Sequence, residues 1–190
     1  SPNPADSSAK SGGEQIHLKL LFDPEGRILG AQGVGAKGVD KRIDVIATAM
    51  QSNRTAPELA SLELAYAPPY NSAKDPVNFL GMIAENVLDK MTELAYADAL
   101  PESAQIIDVR EEAEHRLGAI PGAINLPLGQ IRSRLKELDR SRELIVSCQV
   151  GLRGYLAERI LKQNGFRVRN LSGGYLTWKF THAPLPAPKP

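Results

Sequence analysis

Leu144-Ile145-Val146-Ser147-Cys148-Gln149-Val150-Gly151-Leu152-Arg153 is the stretch that decides the fold of the second half of this chain. The run Leu144 to Val146 is apolar without alternation, which predicts a strand buried on both faces. Leu152 to Asn164 has helical spacing, and Gly151 marks the turn between the two. Outward from this stretch the same rhythm recurs. Ile106-Ile107-Asp108-Val109 is a second apolar run, Ile131 to Leu138 is helical, and Arg167-Val168-Arg169-Asn170-Leu171 is a third candidate strand. Strands of this kind separated by helices predict an α/β domain, with a parallel sheet covered by helices on both faces. The domain is expected over residues 92–183, and the proline-rich residues 184–190 as a loose tail.

The first half reads differently. Residues 1–13 are rich in Ser, Pro, Gly and Ala and predict a flexible lead. His17-Leu18-Lys19-Leu20-Leu21-Phe22, the turn Asp23-Pro24-Glu25-Gly26 and Arg27 to Gln32 predict an antiparallel hairpin with a four-residue loop. Ile43, Ile46, Ala47 and Met50 then have the spacing of one helix face, as do Phe79, Met82, Ile83 and Val87 between Val77 and Met91. Ala65 to Ser72 reads as a proline-bearing loop. An α+β domain over residues 14–91 follows.

Composition removes several classes of function. Of 190 residues, 42% are hydrophobic and 24% charged, which suits globular domains rather than a fibre or a disordered chain. A net charge of +1 gives no ground for nucleic acid or an anionic membrane as partner. No apolar run is long enough to span a bilayer, and no export signal opens the chain, so a cytoplasmic protein is expected. One cysteine excludes an internal disulfide. His17, His115 and His182 lie too far apart for a metal-ligand spacing, and no metal site is expected.

The single thiol, Cys148, sits where a strand gives way to a helix, with Arg153 closing the loop. Consecutive backbone N–H groups in such a loop can point at one centre. The helix N-terminus adds about half a positive charge, and the arginine a full one. This is a cradle for an anion, and the same field favours a thiolate, the nucleophilic form of sulfur. A buried, inert cysteine at a strand end is the plain alternative.

Cys148-Gln149-Val150-Gly151-Leu152-Arg153 resembles the active-site loop of the rhodanese sulfurtransferases. Three further segments carry the resemblance. Ile107-Asp108-Val109-Arg110-Glu111 is similar to the family's N-terminal signature. Gly118-Ala119-Ile120-Pro121-Gly122-Ala123-Ile124-Asn125-Leu126-Pro127 is similar to its GHIPGAxNxP segment, with Ala119 where histidine is usual. Ser172-Gly173-Gly174-Tyr175-Leu176-Thr177-Trp178 resembles the closing element. The resemblance implies that Cys148 takes up sulfane sulfur as a persulfide, with Gln149, Val150, Gly151, Leu152 and Arg153 holding the anion. Related phosphatases use a loop one residue longer. The alternatives are such a phosphatase, or a module that only binds an anion and assembles dimers. Asp108 is expected to be a structural hydrogen-bonder with Arg110 as its surface or loop partner. His115, on a charged helix, is expected in solvent.

Gly33-Val34-Gly35-Ala36-Lys37-Gly38 matches G-x-G-x-x-G, but the preceding strand belongs to a hairpin and no parallel strand follows, so a tight turn is expected rather than a nucleotide site. Leu18 to Phe22, Gly30-Ala31-Gln32, Gly38 to Asp44 and Leu62 to Asn78, with the run Tyr66-Ala67-Pro68-Pro69-Tyr70, resemble the C-terminal dimerisation domain of pyridine nucleotide–disulfide oxidoreductases. The tyrosine-bounded run is similar to the coenzyme A-disulfide reductase branch. That resemblance implies a homodimer through residues 14–91, with Tyr66, and less directly Tyr70, reaching the flavin and CoA site of the partner subunit. It also implies FAD and CoA in an intact parent with NADH as reductant, none of them bound by this chain alone. The substrates it implies are sulfane-sulfur donors and CoA persulfide or disulfide.

Overall fold

The computed structural model describes residues 16–66 and 73–183, which fall into two compact units divided between Met91 and Thr92. In the first unit β1 (Ile16–Phe22) and β2 (Ile28–Gly35) form an antiparallel pair. The turn is held by the Asp23 carboxylate, which accepts the amides of Glu25 and Arg27 at 3.1 and 2.8 Å. It is longer than the sequence suggests, because Arg27 pairs with Thr55 across the unit instead of joining the hairpin ladder. The glycine-rich run begins inside β2. A side chain at Gly33 would meet Val39 at 2.6 Å and Leu18 at 3.0 Å, so glycine there lets the hairpin lie close against α1 (Val39–Gln51). Two antiparallel strands without a crossover leave no cleft for a dinucleotide.

Helix α1 buries Arg42, Ile46 and Ala49 rather than the stripe of Ile43, Ile46, Ala47 and Met50. The rotation has a cause: Arg42 forms an ion pair with Asp75 at 2.9 Å and donates to the Gly38 carbonyl at 3.1 Å, so a charged residue takes an inward position. Asp75 also caps α2 (Pro76–Leu88) in a capping box with Asn78. The Asn78 amide reaches the carbonyls of Leu59 and Leu62, both at 3.0 Å. Helix α2 buries its small residues: a side chain at Gly81 would stand 2.7 Å from the Leu59 carbonyl carbon. Its larger apolar side chains, among them Ile83 at 45% exposure, are left facing outward or half-buried.

The second unit is a five-stranded, wholly parallel sheet in the order β3-β7-β6-β4-β5. Its strands are β3 (Leu94–Ala95), β4 (Gln105–Asp108), β5 (Ile124–Asn125), β6 (Leu144–Ser147) and β7 (Val168–Leu171). Alternate residues feed two cores. Ile107, Leu144, Val146 and Val168 pack with Ile131 of α4 (Ile131–Arg134) and with Ala157 and Leu161 of α5 (Leu152–Gln163). Ile145, Leu171 and Ala95 pack on the other face, against Tyr175 and Trp178 of α6 (Gly174–His182). Helices on both faces of a buried parallel sheet are the expected α/β arrangement. The helix expected over Ile131 to Leu138 is α4 continued by a tighter 3-10 turn over Leu135–Glu137. Helix α3 (Glu112–Arg116) buries none of its residues in either core and is instead held through its polar side chains.

Candidate active site

Cys148 follows the last residue of β6 at the centre of the sheet and is 1% exposed. The chain then turns through Gly151, at φ +117°, into α5. That positive φ favours glycine, and it directs the Gly151 amide at the sulfur: N–H donates to Cys148 Sγ at 3.1 Å. The Gly151 carbonyl faces away, accepting the Tyr155 amide at 2.9 Å and the Asn170 side-chain amide at 3.1 Å.

Two more loop carbonyls are held from the outside. The Tyr175 amide donates to the Cys148 carbonyl at 2.7 Å, and the Leu176 amide to the Gln149 carbonyl at 3.2 Å. These are free amides of the first turn of α6, so a helix N-terminus supplies the loop with donors it cannot find locally. The fit depends on Gly173 and Gly174, both at positive φ (71° and 60°). A side chain at Gly174 would collide with the Cys148 carbonyl and stand 2.8 Å from the Gln149 carbonyl carbon and oxygen. The closing Gly-Gly element is therefore the outer wall of the cysteine loop.

Arg153, in the first turn of α5, is gripped by Glu114 of α3. Nη1 and Nη2 donate to the two carboxylate oxygens at 2.6 and 2.7 Å. These hydrogen bonds pull the Glu114 carboxyl below its ordinary range. They raise the Arg153 guanidinium in turn, helped by the nearby charges of Glu114, Cys148 and Glu111.

Arg110 is the loop partner of Asp108, as expected, but it is buried rather than at the surface. It pairs with Asp108 at 2.7 Å, donates to the Gly118 carbonyl at 2.7 Å and the Gln149 side chain at 3.2 Å, and lies 4.3 Å over the Tyr175 ring. The reading of His115 needs correction, because it is not in solvent: its Nδ1 lies 2.9 Å from Asp108 Oδ2. Burial opposes the charge on Asp108, but hydrogen bonds from Arg110 and His115 more than offset it and hold the carboxyl below its ordinary value. Asp108 is a hydrogen-bonding hub, as the sequence suggests.

Cys148, Gln149, Val150, Gly151, Leu152 and Arg153 thus form one loop, while Tyr66 lies in the other unit, half exposed. Tyr70 lies outside the described residues. Sequence reasoning passed over Glu114, Arg110 as a loop support, Asn170 and Tyr175. For Glu114 one signal was available, since an arginine at the rim of a folded loop draws a carboxylate partner. Among the described residues no group of three or more His, Cys, Asp or Glu could hold a metal ion, and no helix is long and apolar enough to cross a membrane.

Comparison with known proteins follows the two units. Residues 93–181 match the rhodanese-like domain family, and residues 2–76 the dimerisation domain of pyridine nucleotide-disulphide oxidoreductases. Coenzyme A disulfide reductase of Staphylococcus haemolyticus (strain JCSC1435) is 48% identical over 77 residues, 40% of this chain and 18% of that protein. The Staphylococcus aureus (strain bovine RF122 / ET3-1) enzyme is 47% identical over 75 residues, 39% of this chain and 17% of its own. Among solved structures, reduced Bacillus anthracis CoADR-RHD superposes with a TM-score of 0.88 at 41% identity, over 93% of this chain and 32% of that one. A NAD-dependent persulfide reductase from A. fulgidus gives a TM-score of 0.83 at 42% identity, over 94% of this chain and 33% of its own. The chain thus spans about a third of those solved chains and under a fifth of the curated relatives.

Proposed function

We propose that this chain, which belongs to the pyridine nucleotide–disulphide oxidoreductases of the CoA-disulfide and persulfide reductase type that carry a rhodanese domain, moves sulfane sulfur through Cys148. The observation that carries this reading is the Gly151 amide aimed at Cys148 Sγ, in a loop whose outer carbonyls are occupied by α6. In the first step the Cys148 thiolate attacks the terminal sulfur of a donor. The donor's S–S bond breaks, the leaving thiolate takes the proton of the donor's terminal S–H, and Cys148 keeps the transferred sulfur as a persulfide anion. That anion extends into the loop, where backbone N–H groups and the N-terminus of α5 stabilise it without reorganising. An acceptor thiolate then attacks the outer sulfur and returns Cys148 to its starting state. Arg110 and Gly174 do no chemistry; they fix the loop's shape.

In the intact reductase the task we assign is NADH-driven reduction of CoA disulfide or persulfide in the cytoplasm, in a homodimer built through residues 14–91. The outward apolar side chains of α2 support that assembly. Tyr66, half exposed, is the residue we assign to the partner subunit's flavin and CoA site. FAD and NADH do not fit the described residues: the glycine-rich run ends an antiparallel hairpin, and no βαβ unit among the described residues has the phosphate-binding glycines. No redox step is therefore assigned to this chain.

The test is the intact mass after incubation with thiosulfate or an organic persulfide. Gain of one sulfur atom, lost in Cys148→Ser, is the expected result. No gain with either donor would leave an anion-binding module. Release of phosphate from an aryl phosphate would instead favour the phosphatase.

A further inference from the structure

The arginine that closes the loop already holds an anion of the protein itself. Both terminal nitrogens of Arg153 are committed to Glu114, with one carboxylate oxygen to each, at 2.6 and 2.7 Å. The two side chains are about equally exposed, 32% and 35%, so the pair stands at the rim rather than in the core. Glu111 adds a second negative charge close enough to act on Arg153. A dianion arriving at the loop meets a neutralised Arg153–Glu114 pair with the Glu111 charge beside it, and the backbone amides and helix N-terminus are what attract it. The elements carrying this pair also hold large apolar side chains in the open: Leu117 just after α3 at 90%, and Leu152 and Leu156 of α5 at 67% and 44%. Such surroundings suit the carbon skeleton of a thiol better than an inorganic sulfonate.

We propose that Glu114 is a specificity-determining residue, which by occupying Arg153 selects persulfides of organic thiols over the thiosulfate dianion as sulfur donors. The inference rests on the sulfurtransferase reading above and names its donor class. Either donor reaches the same product in a balanced step. From a persulfide, R–S–SH and the Cys148 thiolate give the Cys148 persulfide anion and R–SH. From thiosulfate, the same attack on the outer sulfur expels sulfite, with two negative charges entering and two leaving. Only the second reaction must bring a dianion beside Glu114, so only it is held back by the carboxylate.

The experiment compares two donors on the full chain, thiosulfate and the persulfide of 2-mercaptoethanol, whose carbon skeleton is uncharged, by kcat/KM for sulfur transfer to cyanide. Glu114→Gln keeps the side-chain size and removes the charge. It should raise the ratio of thiosulfate to persulfide kcat/KM about tenfold, as expected when a competing charge is lifted from a bidentate guanidinium. Glu114→Asp, which keeps the charge, should move that ratio much less. A purely structural role for Glu114 would lower both donors together and leave the ratio where it was, which would overturn the inference. The unaltered protein gives a second reading that needs no variant. Raising ionic strength from about 20 to 200 mM shortens the Debye length severalfold. Thiosulfate kcat/KM should hold steady or rise, because the net field it meets is not attractive; a steep fall would overturn the inference. Absence of turnover with both donors would instead strike the sulfurtransferase reading itself.

Discussion

Glu114 and Arg153, 39 residues apart, meet through two parallel hydrogen bonds of 2.6 and 2.7 Å, and this joins α3 to the first turn of α5 across the mouth of the cysteine loop. The loop is thus fastened from two sides, by an ion pair at its C-terminal end and by the amides of α6 along its outer edge. Arg153 therefore acts on the loop through this ion pair, by orienting it. Arg153→Ala should slow sulfur uptake by Cys148 roughly 10²-fold, the scale of a reacting group displaced by about 1 Å once the clamp to Glu114 is gone. Arg153→Lys should recover only part of this, since lysine keeps the charge but cannot fill both carboxylate oxygens in one plane. Time courses of persulfide formation by intact mass would measure both; full recovery with lysine would reduce the role to charge alone.

The Gly174 position yields a prediction about shape without chemistry. With φ at +60°, and with the Gln149 carbonyl group 2.8 Å from where a Cβ would sit, Gly174→Ala must push α6 away from the loop. The amides of Tyr175 and Leu176 would then release the carbonyls of Cys148 and Gln149. Melting temperature should fall by an amount corresponding to about 1–3 kcal/mol, the usual cost of a strained backbone position. Sulfur uptake should fall with it, although Cys148 and Arg153 are intact. A variant with unchanged melting and uptake would show that α6 is not the wall of the site.

Acid should loosen the second unit. Glu114 is held below its ordinary value of 4.5, first by hydrogen bonds from Arg153. Asp108 is held below 3.8: burial opposes its charge, and Arg110 and His115 outweigh burial. A carboxyl whose folded-state value is depressed contributes its full stability above the unfolded value, and loses it as pH falls through the folded one. The window therefore opens below about 4.5 for Glu114 and below 3.8 for Asp108. Most of the effect should come from Asp108, since the Glu114 pair is partly exposed and screened. Melting temperatures followed from pH 6 downward should decline on that acid limb, and Asp108→Asn should flatten it at the expense of stability near neutral pH. An acid limb of the same slope in Asp108→Asn would place the linkage elsewhere.

The sheet was legible because its central strands are apolar on both faces, and no helix or half-exposed strand gives Ile106-Ile107 or Leu144-Ile145-Val146 the same surroundings. The edge strands Leu94–Ala95 and Ile124–Asn125 were not, since two residues cannot display a period. In α1 periodicity found the helix but misplaced its buried side. The reason is Arg42, which turns inward toward Asp75, 33 residues on, and no local pattern announces a partner at that distance. The site divides along the same line. Cys148, Gly151 and Arg153 are contiguous and readable as a loop. Glu114, Arg110 and His115 look like surface charge until β4 and α3 bring Asp108 beneath them and α5 presents Arg153. A charged residue in sequence carries no mark of which other charge will face it.

The last prediction separates the two units by function. Tyr66 belongs to the first and Cys148 to the second. In this chain Tyr66→Phe should leave sulfur uptake at Cys148 unchanged, because the phenol has no place in the loop, and no NADH should be consumed. In a full-length reductase carrying the same segment, the role proposed above for the phenol is to donate a proton or a hydrogen bond beside the substrate sulfur of the partner subunit. General acid catalysis contributes about 10²–10⁴-fold, so loss of the hydroxyl should cost roughly 10²-fold in turnover of CoA persulfide if Tyr66 is the acid. A cost of only a few-fold would mean that the ring packs and the hydroxyl does no chemistry. Rate loss carried by kcat, with KM little changed, is the signature expected of a proton donor acting in the transition state. A shift confined to KM would make Tyr66 a binding residue, and a silent substitution would pass the role to Tyr70, which the same measurement on Tyr70→Phe would decide.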